Sequence, residues 1–289
     1  MAAKGASVEG IAHRFLDVRG LRMHVAEAGS GEPVLFLHGF PEFWYSWRHQ
    51  LEHFRPHFHV LAPDLRGYGE TERRGPYDVP TLVGDVVGLL DALGIERVHL
   101  VGHDWGGALA WVTAIGAPER LRTLAVLNCP HPTIFRRKLW RPRQLLRSWY
   151  IFFFQLPWLP ERLLAMDDYR ALMRMMIRDT QPGTFTREDA KAYLRNWRNG
   201  GLAGGINWYR AAARKGFGIP DPAPLIQVPT LLIWGEDDIA LGKELTHGTD
   251  ELVKDLRVHY LPNVSHWVQQ EAPETVNRLL EEHFRQSAG

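Results

Sequence analysis

The chain of 289 residues is long enough for one large α/β domain with an insertion. Its 34 Lys and Arg residues nearly balance its 33 Asp and Glu residues. This balance predicts neither nucleic acid nor an anionic membrane as a partner. The local basic stretch at residues 136–147 is interpreted as a solvated helix face. Cys129 is the only cysteine, which excludes an intrachain disulfide and a cysteine-rich metal site.

The sequence contains no pattern for export or for membrane insertion. Residues 1–10 lack the apolar run of a signal peptide. The aromatic run at residues 151–154 is far shorter than the ~20 apolar residues that span a bilayer. We therefore predict a cytoplasmic location.

Strand-like apolar runs alternate with helix-like stretches along most of the chain, which predicts a mostly parallel sheet flanked by helices. Residues 13–18 and 21–27 flank a short turn and predict an antiparallel hairpin. An amphipathic helix is predicted from Pro273 to about Arg285. Buried strands are predicted at 34–37, 59–62, 98–101, 124–127, 230–234 and 257–260.

The alternation stops between residues 130 and 225. This stretch is rich in Trp, Tyr, Phe, Met and Arg, and prolines interrupt its helix-like segments. We predict a helical domain over 130–225. It is inserted into an α/β core domain that comprises 1–129 and 226–289.

Polar residues follow four of the predicted strands directly. Because the carboxyl ends of parallel strands meet at one edge of a sheet, we expect these residues to lie together. Their order of nucleophile, acid and histidine is the chain order of the α/β-hydrolase triad. The four groups are His38-Gly39-Phe40-Pro41, Asp104, Asp237-Asp238 and His266.

The sequence Gly102-His103-Asp104-Trp105-Gly106 has the outline of the G-x-S-x-G elbow, with a carboxylate in place of the serine. Asp104 could instead be the N-cap of the helix that begins after it. The elbow glycines and the downstream Asp and His favour a nucleophile. An ionised carboxylate can attack a saturated carbon without a base and form an alkyl ester.

Hydrolysis of such an ester requires a general base, and His266 is the candidate, against the alternative of a core histidine with satisfied hydrogen bonds. Spacing alone does not decide which carboxylate orients it, and we prefer Asp238 to Asp237. The backbone N–H groups of Phe40 and Trp105 are the expected donors to the oxyanion. His38 is assigned a hydrogen bond that braces its loop.

These motifs together resemble those of the epoxide hydrolases of the α/β-hydrolase superfamily. The resemblance implies that Asp104 is the nucleophile and that Asp238 and His266 are its acid and base. It also implies a helical cap over 130–225. Ser265 departs from the family pattern, which usually has glycine before the histidine. The matching stretches are HGFPEFWYSWRHQ (38–50), APDLRGYGET (62–71), GHDWGG (102–107), GEDD (235–238) and SHW (265–267).

The resemblance further implies two cap tyrosines that bind the epoxide oxygen and protonate the leaving alkoxide. The stretch GINWYR (205–210) matches the second of them and gives Tyr209. The stretch WYIFFFQLP (149–157) matches the first and gives Tyr150, although Tyr169 and Tyr193 also lie in the cap. Both residues could instead be amphipathic tyrosines that fill the seam between cap and core.

The predicted reaction opens an epoxide to a vicinal diol without a metal or a cofactor. The expected ligands are a small hydrophobic epoxide and water, and the expected state is a monomer or a homodimer. Three aromatic residues are expected to contact the substrate: Phe40, Trp105 and Trp267.

Two other functions remain open on the sequence. A haloalkane or haloacetate dehalogenase would use the same nucleophile. Phe40 and Trp105 stand where such enzymes often have Asn and Arg respectively, which favours the epoxide. A non-catalytic ligand-binding protein on the same scaffold is the third possibility.

Overall fold

The computed structural model describes residues 8–286. Residues 1–7, which belong to the stretch without a signal-peptide pattern, lie outside the described residues, as do residues 287–289. The described strands are β1 (Ala12–Val18), β2 (Leu21–Ala28), β3 (Glu32–Leu37), β4 (Phe58–Pro63), β5 (Val98–His103), β6 (Leu121–Leu127), β7 (Thr230–Gly235) and β8 (Leu256–Leu261).

These strands form one sheet in the order β1-β2-β4-β3-β5-β6-β7-β8. β1 and β2 form the predicted antiparallel hairpin, and β2 is also antiparallel to β4. All the other neighbouring pairs are parallel. Each strand predicted from an apolar run is present, so the prediction of a mostly parallel α/β sheet is confirmed.

The described helices connect and cover these strands. The last of them begins at the predicted Pro273 and ends one residue beyond the predicted end. The helices are α1 (Arg48–Phe54), α2 (Val79–Ala92), α3 (Trp105–Gly116), α4 (Pro132–Lys138), α5 (Pro142–Arg147), α6 (Trp149–Phe153), α7 (Leu159–Ala165), α8 (Arg170–Asp179), α9 (Arg187–Gly200), α10 (Ala203–Lys215), α11 (Val268–Glu271) and α12 (Pro273–Gln286).

The central strands are buried on both faces of the sheet. In β3, Leu35 and Leu37 pack into the core beneath α2 and α3. Val34 and Phe36 point to the opposite face and pack into the core beneath α1 and α12. Burial on both faces is the reason that these strands are continuous apolar runs rather than alternating patterns.

The chain between β6 and β7 is helical, and no strand occurs among its described residues. We call residues 130–225 the cap segment; that it forms a separate domain stays a prediction. Its helices carry their own start signals. Thr186 caps α9 through a reciprocal pair of hydrogen bonds with Asp189.

Candidate active site

The centre of the site is the sharp turn from β5 into α3. Asp104 lies in this turn with φ at 50° and ψ at −120°, a strained conformation for a residue with a side chain. A Cβ atom at Gly106 would lie 2.1 Å from the Leu37 carbonyl oxygen, so only glycine fits there. The Asp104 side chain makes no capping hydrogen bond to α3. The Asp104 carboxylate therefore lies in the wall of a cavity and does not cap the helix.

The Asp104 carboxylate has a different neighbour at each oxygen. Oδ1 accepts a hydrogen bond of 2.8 Å from the Phe40 backbone N–H. Oδ2 lies 3.5 Å from Nε2 of His266. Trp105 begins α3, and the N–H groups at a helix start lack partners within the helix. The structure thus brings together Asp104, His266 and the first predicted oxyanion donor.

His266 is oriented from its other ring nitrogen by Asp238. Nδ1 of His266 lies 2.7 Å from Oδ2 of Asp238. The second oxygen of Asp238 accepts hydrogen bonds of 2.8 Å from the backbone N–H groups of Ala240 and Leu241. Asp237 is exposed. Of the two candidate carboxylates, the structure places Asp238 against the histidine.

Charges within the triad shift the pKa values of its members. Burial alone would lower the pKa of His266, but the charges of Asp238 and Asp104 outweigh it and raise that pKa well above its usual value. Burial alone would raise the pKa values of Asp104 and Asp238. Their interactions with His266 outweigh burial and lower both pKa values. The three groups thus stabilise one another in their charged forms.

Asn128 supports the triad and was not singled out from the sequence. Its Nδ2 donates a hydrogen bond of 2.8 Å to Oδ2 of Asp238, and its Oδ1 accepts one of 2.8 Å from the Gly235 N–H. It follows β6 directly and has φ at 41°. The signal that could have identified it is its position, because it is a polar residue immediately after a predicted strand.

A buried carboxylate, Glu42, is a second feature that the sequence did not reveal. It is fully buried and accepts a hydrogen bond of 3.0 Å from the Gly39 N–H. Its Oε2 also lies 2.8 Å from Nδ1 of His103. Nε2 of His103 lies 2.9 Å from the carbonyl oxygen of His266. Glu42 and His103 therefore connect the loop that carries Phe40 to the loop that carries His266.

His38 braces its loop in the way that the sequence predicted. It is fully buried, and its Nε2 accepts a hydrogen bond of 3.0 Å from the Leu65 N–H. Burial dominates and lowers the pKa of His38. The ring is therefore neutral and serves as an acceptor within the fold.

A cavity of about 640 Å³ lies between the edge of the sheet and the cap segment. Its wall includes Asp104, Trp105, Tyr150 and Tyr209, and most of the remaining wall is apolar. The rings of Tyr150 and Tyr209 are 5.9 Å apart. Both predicted tyrosines thus share one cavity with the carboxylate.

The two alternative tyrosines lie elsewhere in the cap segment. Tyr193 is fully buried and exchanges hydrogen bonds with Gln270. Tyr169 packs against Trp197, with ring centroids 5.8 Å apart. Neither residue lines the cavity. The structure therefore favours the pair chosen from the sequence.

Burial is the main cause that raises the pKa values of Tyr150 and Tyr209, and the negative charge of Asp104 is the next. Both phenols are therefore protonated at neutral pH and can donate a proton. Protonated phenols can donate a hydrogen bond, and then a proton, to an oxygen atom on which negative charge develops.

The three predicted substrate contacts differ in their position. Trp105 lines the cavity. The ring of Phe40 packs edge-on against Tyr209, at 5.5 Å between centroids. The ring of Trp267 packs against His266 at 5.2 Å. Phe40 and Trp267 thus contact residues of the site without lining the cavity itself.

Two further properties of residues 8–286 bear on the predictions. Within this range, no three His, Cys, Asp or Glu side chains are grouped as metal ligands. None of the helices in the same range combines the length and the apolar character that crossing a membrane requires.

Comparison with known proteins places the chain in a family. Residues 32–273 match the family described as alpha/beta hydrolase fold. Epoxide hydrolase 4 of Homo sapiens is 42% identical over 274 residues, which cover 90% of this chain and 75% of that protein. The AB hydrolase superfamily protein YfhM of Bacillus subtilis (strain 168) is 36% identical, with coverage of 96% and 99% respectively.

A solved structure gives the same result. The crystal structure of the Bacillus megaterium epoxide hydrolase in complex with an inhibitor superposes with a TM-score of 0.87 at 32% identity. The match covers 94% of this chain and 100% of that one. The chain belongs to the α/β-hydrolase family, within its group of epoxide hydrolases. The resemblance predicted from the motifs is confirmed.

Proposed function

We propose that the protein converts an epoxide to a vicinal diol through a covalent ester on Asp104, without a cofactor or a metal. The observation that carries this proposal is the shared cavity. A strained, ionised carboxylate forms one part of its wall, and two protonated phenols, Tyr150 and Tyr209, form another. This arrangement supplies a nucleophile for carbon and an acid for oxygen on either side of one substrate.

The first step is displacement at an epoxide carbon. Because Oδ1 of Asp104 is held by the Phe40 N–H, Oδ2 is the oxygen that attacks. The carbon–oxygen bond of the ring breaks, and the alkoxide takes a proton from Tyr150 or Tyr209. An alkoxide is a poor leaving group, so this proton transfer lowers the barrier substantially. The product of the step is an alkyl ester.

The second step is hydrolysis of that ester at its carbonyl carbon. Forming the ester removes the negative charge of Asp104, which is one of the causes that raise the pKa of His266. The pKa of His266 therefore falls, and the imidazolium releases its proton to solvent. The neutral imidazole can then take a proton from a water molecule that attacks the ester carbonyl. Asp238 remains to stabilise the imidazolium that forms.

Negative charge then develops on Oδ1, where the Phe40 N–H is already directed. We assign the Trp105 N–H as the second donor. The imidazolium protonates the departing diol oxygen. The proton left on the new carboxylic acid passes through solvent to the phenolate. His266 takes back from solvent the proton that it released before hydrolysis, and the enzyme returns to its resting state.

We infer that residues 130–225 form a cap domain over a core of 1–129 and 226–289. The apolar wall of the cavity supports a small hydrophobic epoxide as the substrate, with Trp105 in contact with it. The near-neutral charge balance supports the absence of a nucleic-acid partner. We also propose a cytoplasmic location and a monomeric or homodimeric state.

A single turnover in ¹⁸O-labelled water tests the covalent route. Enzyme in excess over substrate should give an unlabelled diol and a label in the peptide that contains Asp104. The label should enter Asp104 because water attacks the ester carbonyl rather than the epoxide. Label found only in the diol of the first turnover would refute the ester.

A small panel of epoxides and halogenated alkanes tests the reaction class. We expect diol from the epoxides and little halide from the haloalkanes. If halide were released faster than diol is formed, the protein would be a dehalogenase instead. Trp105, whose ring lines the cavity, would then be a candidate donor to the halide.

A further inference from the structure

Part of the cap segment exposes large apolar side chains to solvent. Four of them, which we call the apolar patch, have between 43% and 76% of their surface exposed. Exposure of several such side chains within a short stretch marks an interaction surface more often than chance. The apolar patch consists of Trp140, Leu146, Trp149 and Phe152.

Contacts and helical spacing connect three of these residues, and the fourth, Leu146, lies in α5 between them in the chain. The rings of Trp140 and Phe152 lie 6.0 Å apart. Trp149 and Phe152 are three positions apart in α6, and residues with this spacing are neighbours on a helix surface. The patch therefore extends from the turn before α5 through α5 to α6.

Three arginines lie among the patch residues in the chain. Arg141, Arg143 and Arg147 are exposed, and no ion pair holds any of them within residues 8–286. The sequence has no Asp or Glu between Glu119 and Glu161. No acidic side chain within residues 120–160 is therefore available to neutralise the positive charge of these arginines.

The patch adjoins the entrance of the catalytic cavity. Trp140 and Phe152 belong both to the patch and to the cavity wall, and Arg136 lines the same wall. The exposed patch and the cavity wall are therefore continuous through Trp140 and Phe152.

We propose that this surface docks the protein on the face of a bilayer that contains anionic phospholipids. Tryptophan and other large apolar side chains insert at the level of the lipid headgroups, and arginines around them bind lipid phosphates. The overall charge balance predicts no anionic membrane as a partner, and the local basic stretch at 136–147 by itself indicates a solvated helix face. That reading does not account for the exposed tryptophans, which a solvated face does not require.

The charge of the patch favours an anionic bilayer over a second copy of the chain as its binding partner. A symmetric dimer through this patch would bring the same three arginines of each copy into one interface. Like charges facing each other in this way are destabilising. An anionic lipid surface supplies the opposite charge and accepts the apolar side chains as well.

Co-sedimentation with vesicles tests the proposal. The two probes are phosphatidylcholine vesicles and vesicles in which part of that lipid is replaced by phosphatidylglycerol. We expect binding to the anionic vesicles, weakened by salt because salt screens the attraction. The variants R143E/R147E and L146S/W149S should each weaken binding at least about tenfold. None of these four residues lines the cavity, so diol formation from a small epoxide in buffer should be unchanged.

The pair R174E/R178E on α8 is the matched control. These arginines are also exposed, four positions apart on a cap helix and outside the apolar patch. The control should retain vesicle binding. Equal losses for both arginine pairs, or no binding of the unmodified chain to anionic vesicles, would overturn the proposal. A dimer that L146S/W149S dissociates, without vesicle binding, would also overturn it. Each of these failures would leave the proposed epoxide hydrolysis standing, because sedimentation does not depend on turnover.

Discussion

The two sides of the cavity hold their polar groups by different means. On the sheet side, directional hydrogen bonds hold Asp238 and His266. Asp238 accepts three hydrogen bonds, two from backbone N–H groups and one from Asn128. On the cap side, packing of rings surrounds Tyr150 and Tyr209. The hydrogen bonds and charges on the sheet side fix position and favour the ionised forms, whereas burial on the cap side favours the neutral phenols. We therefore expect changes on the sheet side to have the larger effects.

The largest effect should come from Asp104→Ala. This change removes the nucleophile but no bulky side chain, so the fold should persist. Turnover should fall by about 10⁴-fold or more, as when a nucleophile is removed from other covalent enzymes. Steady-state diol formation measures the loss, and thermal unfolding checks that the variant is folded. Activity within tenfold of the unmodified enzyme would show that water attacks the epoxide directly.

His266→Gln should lower turnover by about 10³-fold to 10⁴-fold, and it should do so in the second step only. Asp104 in this variant can still attack the epoxide, but no base activates the water. Intact-protein mass spectrometry should therefore show the mass of the substrate added to the enzyme. An inactive variant that carries no adduct would mean that His266 is needed before the ester forms.

On the cap side, changing Tyr150 and Tyr209 together to Phe should slow epoxide opening by about 10²-fold to 10³-fold. The rings remain and keep their packing, so the loss isolates the two hydroxyl groups. Pre-steady-state measurement of ester formation gives the effect. Tyr169→Phe is the matched control, because Tyr169 lies in the cap segment but does not line the cavity. A similar loss in the control would point to cap stability rather than acid catalysis.

The two steps should separate with pH. The pKa of Asp104 is lowered, so the nucleophile stays ionised and ester formation should be level over the neutral range. Ester hydrolysis needs neutral His266. In the ester the charge of Asp104 is gone but that of Asp238 still raises the pKa of His266, so the hydrolysis rate should rise as pH increases through the pKa of His266 in the ester form. Below it, the rate should fall by about tenfold per pH unit, and the ester should accumulate. Rapid quenching across the pH range tests this. Parallel decline of both steps at low pH would contradict the assignment of His266 to the second step alone.

Much of the sheet side of the site could be predicted from the sequence, because short sequence patterns determine the turns that carry its residues. The glycines around Asp104 are required by a turn in which a Cβ atom would strike the backbone. The order of the strands' polar ends then predicted that Asp104 and His266 meet one of Asp237 and Asp238, and the resemblance to the epoxide hydrolases implied Asp238. The sequence could not reveal the role of Glu42, because its partner His103 lies far along the chain and meets it only in the folded protein.

The site residues of the cap segment were harder to predict from the sequence. Its residues were assigned by resemblance, since a helix rich in aromatic residues has no local rule that separates an acid from a packing tyrosine. The structure brings Tyr150 and Tyr209 to one cavity, but it does so through packing between distant helices. The exposure of Trp140 and Trp149 likewise depends on how α5 and α6 lie, which composition does not specify.

The smallest of these effects should come from Asn128→Ala. The change removes a donor to Asp238 and an acceptor for the Gly235 N–H, and an unmade buried hydrogen bond costs about 1–3 kcal/mol. We expect kcat to fall by roughly tenfold with little change in KM, since Asn128 does not line the cavity. Steady-state kinetics and thermal unfolding measure the two effects.

Backbone strain and hydrogen bonding can be separated at this position. Asn128 has φ at 41°, a conformation that glycine adopts more easily than alanine. Asn128→Gly should therefore be more stable than Asn128→Ala and should show the same fall in kcat. If glycine restored turnover, the alanine defect would be one of strain, and the hydrogen bond to Asp238 would not orient the triad. If both variants lost turnover equally while differing in stability, the amide would be established as a positioning group for Asp238, and through it for His266.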